Sequence, residues 1–186
     1  MDKKVFMKYL FQKKIILTSV FFIVVIVSYL SGCVDTPEKN ESVNIVFSTL
    51  DGSQKSLDDF LGKVVVLDLM GVNCQPCMYQ MFELKKIEEN YSRNQVIILS
   101  IDVWIQQGET AELIQNYISA FKQQANIDLN WTFGMDDRQG TIAKVYAKNG
   151  VPTLYIIDEK GNIYYSHFGY EPYSTLKIKI DELLNT

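Results

Sequence analysis

The chain has 186 residues, 47% hydrophobic and 22% charged, with 18 Lys and Arg against 22 Asp and Glu. This length and balance fit one globular domain with some chain to spare, and exclude a disordered or low-complexity polymer. A net charge of −4 also argues against nucleic acid as a partner, because phosphate recognition rests on basic surfaces.

The spare chain is at the front. Lys3, Lys4, Lys8, Lys13 and Lys14 precede an uncharged apolar run from Ile15 to Leu30, followed by Ser31-Gly32-Cys33. A basic start, an apolar core and small residues before a boundary form a secretory leader. The boundary resembles a lipoprotein signal box, in which Cys33 would carry lipid and become the first mature residue. The other reading is an uncleaved signal anchor, although the apolar run is short for a full bilayer span. Either way the domain is expected outside the cytoplasm, held to the membrane by lipid or by the N-terminal helix, with the basic flank inside. Removing the five leader lysines and Asp2 leaves 13 basic against 21 acidic residues, net −8. Residues 1–33 are therefore read as leader or anchor, 34–42 with Pro37 as a tether, and 43–186 as the domain.

Within the domain, Val43 to Ser48 reads as a short strand and Ser56 to Leu61 as a helical turn. Val64 to Met70 is an unbroken apolar run apart from Asp68, the pattern of a buried parallel strand. From Met78 to Tyr91, Met81, Leu84, Ile87 and Tyr91 fall at helical spacing. Gln95 to Val103 is a second buried strand. Thr110 is placed to cap a helix whose apolar positions are Leu113, Ile114, Tyr117, Ile118 and Phe121. Asn130 to Phe133 is a short strand and Gln139 to Tyr146 a short helix. Leu154 to Ile157 and Ile163 to His167 form a hairpin across Glu159-Lys160-Gly161-Asn162, and Tyr173 to Leu184 closes the chain as a helix. Alternating strands and helices predict an α/β domain with a mixed sheet covered on both faces. The two tryptophans, Trp104 and Trp131, are read as packing, while Tyr170 and Tyr173 are read as packing or as the lining of a substrate groove, between which the sequence does not choose.

The chemistry is concentrated in Gly71-Val72-Asn73-Cys74-Gln75-Pro76-Cys77, where the strand hands over to the helix. Residues three apart on a helix lie about 5–6 Å apart, within the Cα range of a disulfide. Pro76 suits a first helical turn, where its missing N–H costs nothing. The helix N-terminus favours a thiolate, so Cys74 is read as the exposed attacking thiol and Cys77 as the buried resolving thiol. A loop this short constrains the unfolded chain little, which disfavours a purely structural staple. Asp68, buried in an apolar strand, would have a raised pKa and suit the role of proton acceptor for Cys77; the bland reading is a carboxylate paired with lysine or capping a backbone group. Asn73, short and polar beside Cys74, is expected to open the site and influence which partners dock.

Other uses of the cysteines fit less well. A structural zinc site wants four ligands, and His167 is the only histidine. A copper chaperone would use the two cysteines with that distant histidine. A peroxidase would need a Pro/Thr-flanked cysteine, which is absent. A tethered binding module, with the disulfide as a latch, stays open. No metal and no cofactor is expected.

The Cys-x-Pro-Cys turn, Gly62-Lys63 opening the Val64 to Met70 strand, and Gly150-Val151-Pro152-Thr153 before the hairpin together resemble the thioredoxin superfamily. With the segment Thr49-Leu50-Asp51-Gly52 and Ser56 to Phe60 ahead of them, they resemble its membrane-tethered TlpA/ResA-like branch. The resemblance covers about residues 44–186. It implies a thioredoxin-like fold carrying an N-terminal extension and an inserted helix and strand between about Trp104 and Asp137. It implies that Pro152 is a cis-proline whose loop, with Val151 and Thr153, faces the disulfide and offers backbone hydrogen bonds to substrate. It also implies a monomeric disulfide reductase for protein substrates, of the kind that serves cytochrome c maturation and takes electrons from a membrane thiol transporter. Three positions depart from the pattern. Asn73 replaces a tryptophan, and Gln80 and Phe82 replace a glutamate and a proline.

Overall fold

In the computed structural model the strand Val64–Met70 has no exposed residue, and the sheet is built outward from it. The structure describes Val43 and residues 45–185; the leader, Cys33 and the tether lie outside the described residues. Seven strands form one sheet: β1 (Val46–Thr49), β2 (Gln54–Ser56), β3 (Val64–Met70), β4 (Val96–Asp102), β5 (Thr132–Met135), β6 (Thr153–Ile157) and β7 (Ile163–Phe168). Their order is β2-β1-β5-β4-β3-β6-β7. The neighbours β3–β4 and β4–β5 are parallel, while β3–β6, β6–β7, β1–β5 and β1–β2 are antiparallel. Four helices accompany the sheet: α1 (Gln75–Asn90), α2 (Ala111–Ala125), α3 (Thr141–Tyr146) and α4 (Tyr173–Leu184). This is the mixed, two-faced thioredoxin-like fold expected from the sequence.

Side chains alternate between the faces of a strand, and β3 sorts accordingly. Val64, Val66 and Met70 join Met81, Leu84 and Ile87 of α1, Ile114 and Phe121 of α2, and Leu176 and Ile180 of α4 in one core. Val65, Leu67 and Leu69 join Phe47, Leu57 and Ile142 in the other. Each such side chain, fully buried, contributes about 1.5–3 kcal/mol. Asp68 has the parity of Val66 and Met70, so it faces the core that contains Cys77.

Several boundaries shift for identifiable reasons. The first strand starts at Val46, and a three-residue partner, β2, which the sequence reading did not contain, pairs with it. The expected Asn130–Phe133 strand runs instead over Thr132–Met135. Helix α3 starts at Thr141 because Asp136 and Asp137 accept the N–H groups of Ile142, Ala143 and Thr141. Thr110 caps α2, accepting the Leu113 N–H at 3.3 Å. Leu113 itself is exposed, because the buried stripe of α2 runs through Ile114 and Phe121. The insertion between Trp104 and Asp137 comprises a short 3-10 turn, α2 and β5.

One close approach governs the exit from β3. A Cβ on Gly71 would lie 2.5 Å from Cε3 of Trp104. The indole therefore covers the chain where it turns towards α1, and only glycine fits beneath it. Gly71→Ala is expected to destabilise the domain by about 1–3 kcal/mol through forced displacement of Trp104. A lowered urea midpoint with unchanged slope would show this.

Candidate active site

Cys74 is the N-cap of α1, and its Sγ accepts the Cys77 N–H at 3.2 Å. Pro76 lies in the first turn, as its missing donor allows. Cys74 and Cys77 form a disulfide with a Cα separation of 5.2 Å. Cys77 is fully buried and Cys74 is 5% exposed. Cys74 is thus less open than the sequence suggested, because the loop before β6 covers it and its sulfur is bonded.

That loop is brought there by strand register. β6 runs antiparallel to β3 with Thr153 opposite Leu69, so the residues before Thr153 extend past the end of β3 beside the Gly71–Cys74 turn. The Val151–Pro152 bond is cis. The Val151 carbonyl oxygen lies 3.7 Å from Cys74 Sγ. The Pro152 carbonyl accepts the Gly169 N–H at 2.8 Å, and the Thr153 hydroxyl turns back to donate to the Gly150 carbonyl at 2.7 Å. Of these three residues, Val151 is the one whose backbone touches the disulfide.

Asp68 is completely buried. Ser100, its partner on β4, donates from Oγ to Oδ2 at 3.0 Å, and the Trp131 indole N–H donates to the same Ser100 oxygen at 3.0 Å. Oδ1 has no hydrogen-bond partner among the described residues. Burial pushes the Asp68 pKa up to about 7, and the Ser100 hydrogen bond pulls it back only in part. Neither a lysine nor a backbone amide is bonded to it, so the sequence's bland reading is not what the structure contains. A carboxyl with this pKa can take up a proton near neutrality.

Asn73 is exposed, yet its side chain is tied down. Its backbone N–H and its Nδ2 both donate to Glu109 Oε1, at 3.0 and 2.7 Å. Sequence reasoning missed Glu109, which reaches this turn across 36 residues. It also missed Asp102, whose only signal was a carboxylate at the end of an apolar strand with the parity of Val96 and Ile98.

Gln80 is likewise fully buried, and both ends of its amide are used. Nε2 donates to the Glu171 carbonyl at 3.1 Å, and Oε1 accepts the Glu171 N–H at 2.8 Å. Only an amide satisfies both, since a carboxylate has no proton for the carbonyl. Glu171 in turn accepts the Tyr165 hydroxyl at 2.6 Å and lies 3.1 Å from His167 Nδ1. Phe82 packs against Phe121 with ring centroids 5.4 Å apart and the rings tilted by 57°. Among the described residues no group of three or more His, Cys, Asp or Glu is placed to hold a metal ion.

The AhpC/TSA family model matches residues 39–166, more than half of the chain. Among curated proteins, the thiol-disulfide oxidoreductase ResA of Bacillus thuringiensis subsp. konkukian is 29% identical over 123 residues, covering 66% of this chain and 65% of that protein. The match therefore spans slightly less than two thirds of that relative's length. The thioredoxin-like protein YneN of Bacillus subtilis is 28% identical over 144 residues, 77% of this chain and 79% of that one. Among solved structures, a thiol-disulfide isomerase from Corynebacterium glutamicum superposes with a TM-score of 0.68 at 22% identity, over 80% of this chain and 99% of that one. A DsbE-type thiol:disulfide interchange protein from Chlorobium tepidum gives 0.61 at 22% identity, over 78% and 96%. At these identities the two structures bear on the fold alone.

Two consequences can be measured. Between about pH 4 and pH 7 the folded state keeps the Asp68 proton that the unfolded chain releases, so wild-type stability falls as pH rises through this window. Asp68→Asn escapes that loss. Its stability relative to wild type should rise by on the order of 4 kcal/mol between the two ends, read from urea midpoints at each pH. Gln80→Glu should cost about 1–3 kcal/mol at neutral pH, because the Glu171 carbonyl loses its donor. Thermal unfolding would register it, and the loss should shrink in acid as the new carboxyl regains a proton.

Proposed function

Since this chain belongs to the AhpC/TSA family, we propose that it is a thiol–disulfide oxidoreductase acting on protein disulfides, anchored to the membrane with its domain outside the cytoplasm. The observation that carries the reading is the Cys74–Cys77 disulfide in the first turn of α1, lying against the cis Val151–Pro152 loop. The names of the ResA relatives support the reaction class.

In the reducing direction the dithiol form acts first. The free N–H groups of the α1 N-terminus, among them that of Cys77, stabilise a thiolate on Cys74. This thiolate attacks one sulfur of a substrate disulfide, forming a mixed disulfide and expelling the other sulfur as a thiolate. Cys77 then passes its proton to Asp68 and attacks Cys74 Sγ. The Cys74–Cys77 bond forms, the mixed bond breaks, and two electrons have moved from the protein to the substrate. The Val151 carbonyl and the cis loop frame the approach to Cys74, and Asn73 flanks it. The same steps run backwards would oxidise a dithiol.

The reductase direction follows from the resemblance to the TlpA/ResA-like branch. So do a role in cytochrome c maturation and reduction of the spent disulfide by a membrane thiol transporter. Residues 1–33 serve as leader, with Cys33 as the lipid-bearing residue or the apolar run as an anchor, 34–42 as tether, and 43–186 as the catalytic domain. Among the described residues no helix is long and apolar enough to cross a membrane.

The test is a redox titration of the chain against thiol–disulfide buffers, with Cys74→Ser as control. A reversible couple near or below about −270 mV is expected for a reductase. A couple near about −120 mV would reverse the direction, and no couple at all would remove the enzyme. Cys77→Ser should accumulate mixed disulfides with substrate on non-reducing gels, whereas Cys74→Ser should accumulate none.

A further inference from the structure

A second pair of acids lies behind the reactive turn. Asp102 ends β4 on the same face as Asp68 and Ser100 and is 1% exposed. Its Oδ1 accepts the Trp104 N–H at 2.8 Å, while Oδ2 is buried with no hydrogen-bond partner. Glu109, 4% exposed, faces it and is filled with donors. Oε2 accepts the Val72 N–H at 2.9 Å, and Oε1 accepts the Asn73 N–H and the Asn73 carboxamide at 3.0 and 2.7 Å.

Two carboxyls this deeply buried side by side do not both ionise near neutrality. The donors decide which one keeps the charge. Three N–H groups converge on Glu109, which suits an acceptor-only carboxylate. Asp102 takes the Trp104 N–H on Oδ1 and feels the Val72 N–H more weakly, and its buried Oδ2, unpartnered among the described residues, is the natural seat for a proton. Burial, then the Glu109 carboxyl beside it, which a protonated Asp102 is placed to bond, hold Asp102 well above the usual carboxylate range, against the pull of the Trp104 and Val72 N–H groups. The surrounding groups reinforce this. From α2 the buried Tyr117 hydroxyl lies near Asp68, Asp102 and Glu109, and burial first, then the negative charge this acid cluster carries, keeps it protonated. Glu109 also lines a surface cavity with Asp136, Asp137 and Arg138. Asp136 and Asp137 there are occupied by the amides of α3, and Arg138 supplies the cation of that lining.

We propose that Glu109 is the positioning residue of the Cys74 turn, and that a proton held between Asp102 and Glu109 keeps it in place. Protonated Asp102 donates from Oδ2 to Glu109, and the one remaining negative charge grips the two amides that precede Cys74 together with the Asn73 side chain. Asn73 then belongs to the clamp as well as to the docking surface. When the pair loses its proton, adjacent carboxylates repel, Glu109 withdraws and the turn loosens. Attack by Cys74 is thereby tied to a proton that is not on a thiol. The inference rests on Cys74 being the attacking cysteine, as proposed above.

The experiment follows backbone and side-chain amide resonances of the disulfide form of the full chain, where neither Cys74 nor Cys77 titrates, from about pH 5 to about pH 9. Val72 N–H, Asn73 N–H and the Asn73 carboxamide should shift together in a single titration. In Asp102→Asn, whose amide donates to Glu109 as the protonated acid does, the three should keep their neutral-pH positions and stop titrating. Glu109→Gln should displace them at every pH and slow mixed-disulfide formation by roughly tenfold to a hundredfold. Amides that stay flat in the wild type, or a titration that persists in Asp102→Asn, would overturn the clamp; the wild-type titration decides even if a variant fails to fold. A chain that exchanges disulfides but has flat amides loses the clamp and keeps the oxidoreductase reading. A chain with the titration but no exchange keeps the clamp and loses that reading.

Discussion

β3 is buried on both faces over its whole length, and this constraint organises the molecule. A strand in that position has no water to settle its polar groups, so neighbours must do it. It can also end only where the sheet ends, and there Gly71 passes beneath Trp104 into α1. The helix N-terminus is consequently fixed at the sheet's edge, beside the loop that the antiparallel register of β6 delivers. The Cys74–Cys77 disulfide and the cis-proline loop meet because both are attached to the same central strand.

The same constraint explains the acids. Asp68, Ser100 and Asp102 share one face of two adjacent strands, beneath α1 and α2. Such positions are ordinarily apolar. A single hydroxyl, shared with an indole N–H, is the hydrogen-bond partner of Asp68, and its second oxygen is left bare. Local stability is given up for a carboxyl that exchanges a proton near neutral pH, which is a property a disulfide-exchange site can use.

The departures from the TlpA/ResA-like pattern are matched by neighbours rather than left unsupported. Gln80 fits the Glu171 peptide because an amide both gives and accepts a hydrogen bond, and it fastens the loop that leads into α4 to α1. Asn73 fits because Glu109 waits for its carboxamide. Phe82, where the pattern has proline, packs with tilted rings against Phe121 of α2 and links the insertion to α1.

By itself the sequence determined the elements whose signals are local. The apolar run of β3, the helical spacing of Met81, Leu84 and Ile87, the Thr110 cap and the Cys-x-Pro-Cys turn were all legible, because each depends on residues a few positions apart. The motif resemblance added the fold and the cis bond at Pro152. Only the tertiary structure decided that Thr153 turns its hydroxyl inward, that the loop before β6 covers Cys74, that β2 exists, and that Asp68 meets Ser100. Only it brought Glu109 to the amides of Val72 and Asn73. The contacts of Asp68, Cys74 and Glu109 join residues 32 to 77 positions apart, and no periodicity or spacing encodes them. They arise when strand register and a loop's path place side chains together, and that outcome belongs to the packing of the whole domain.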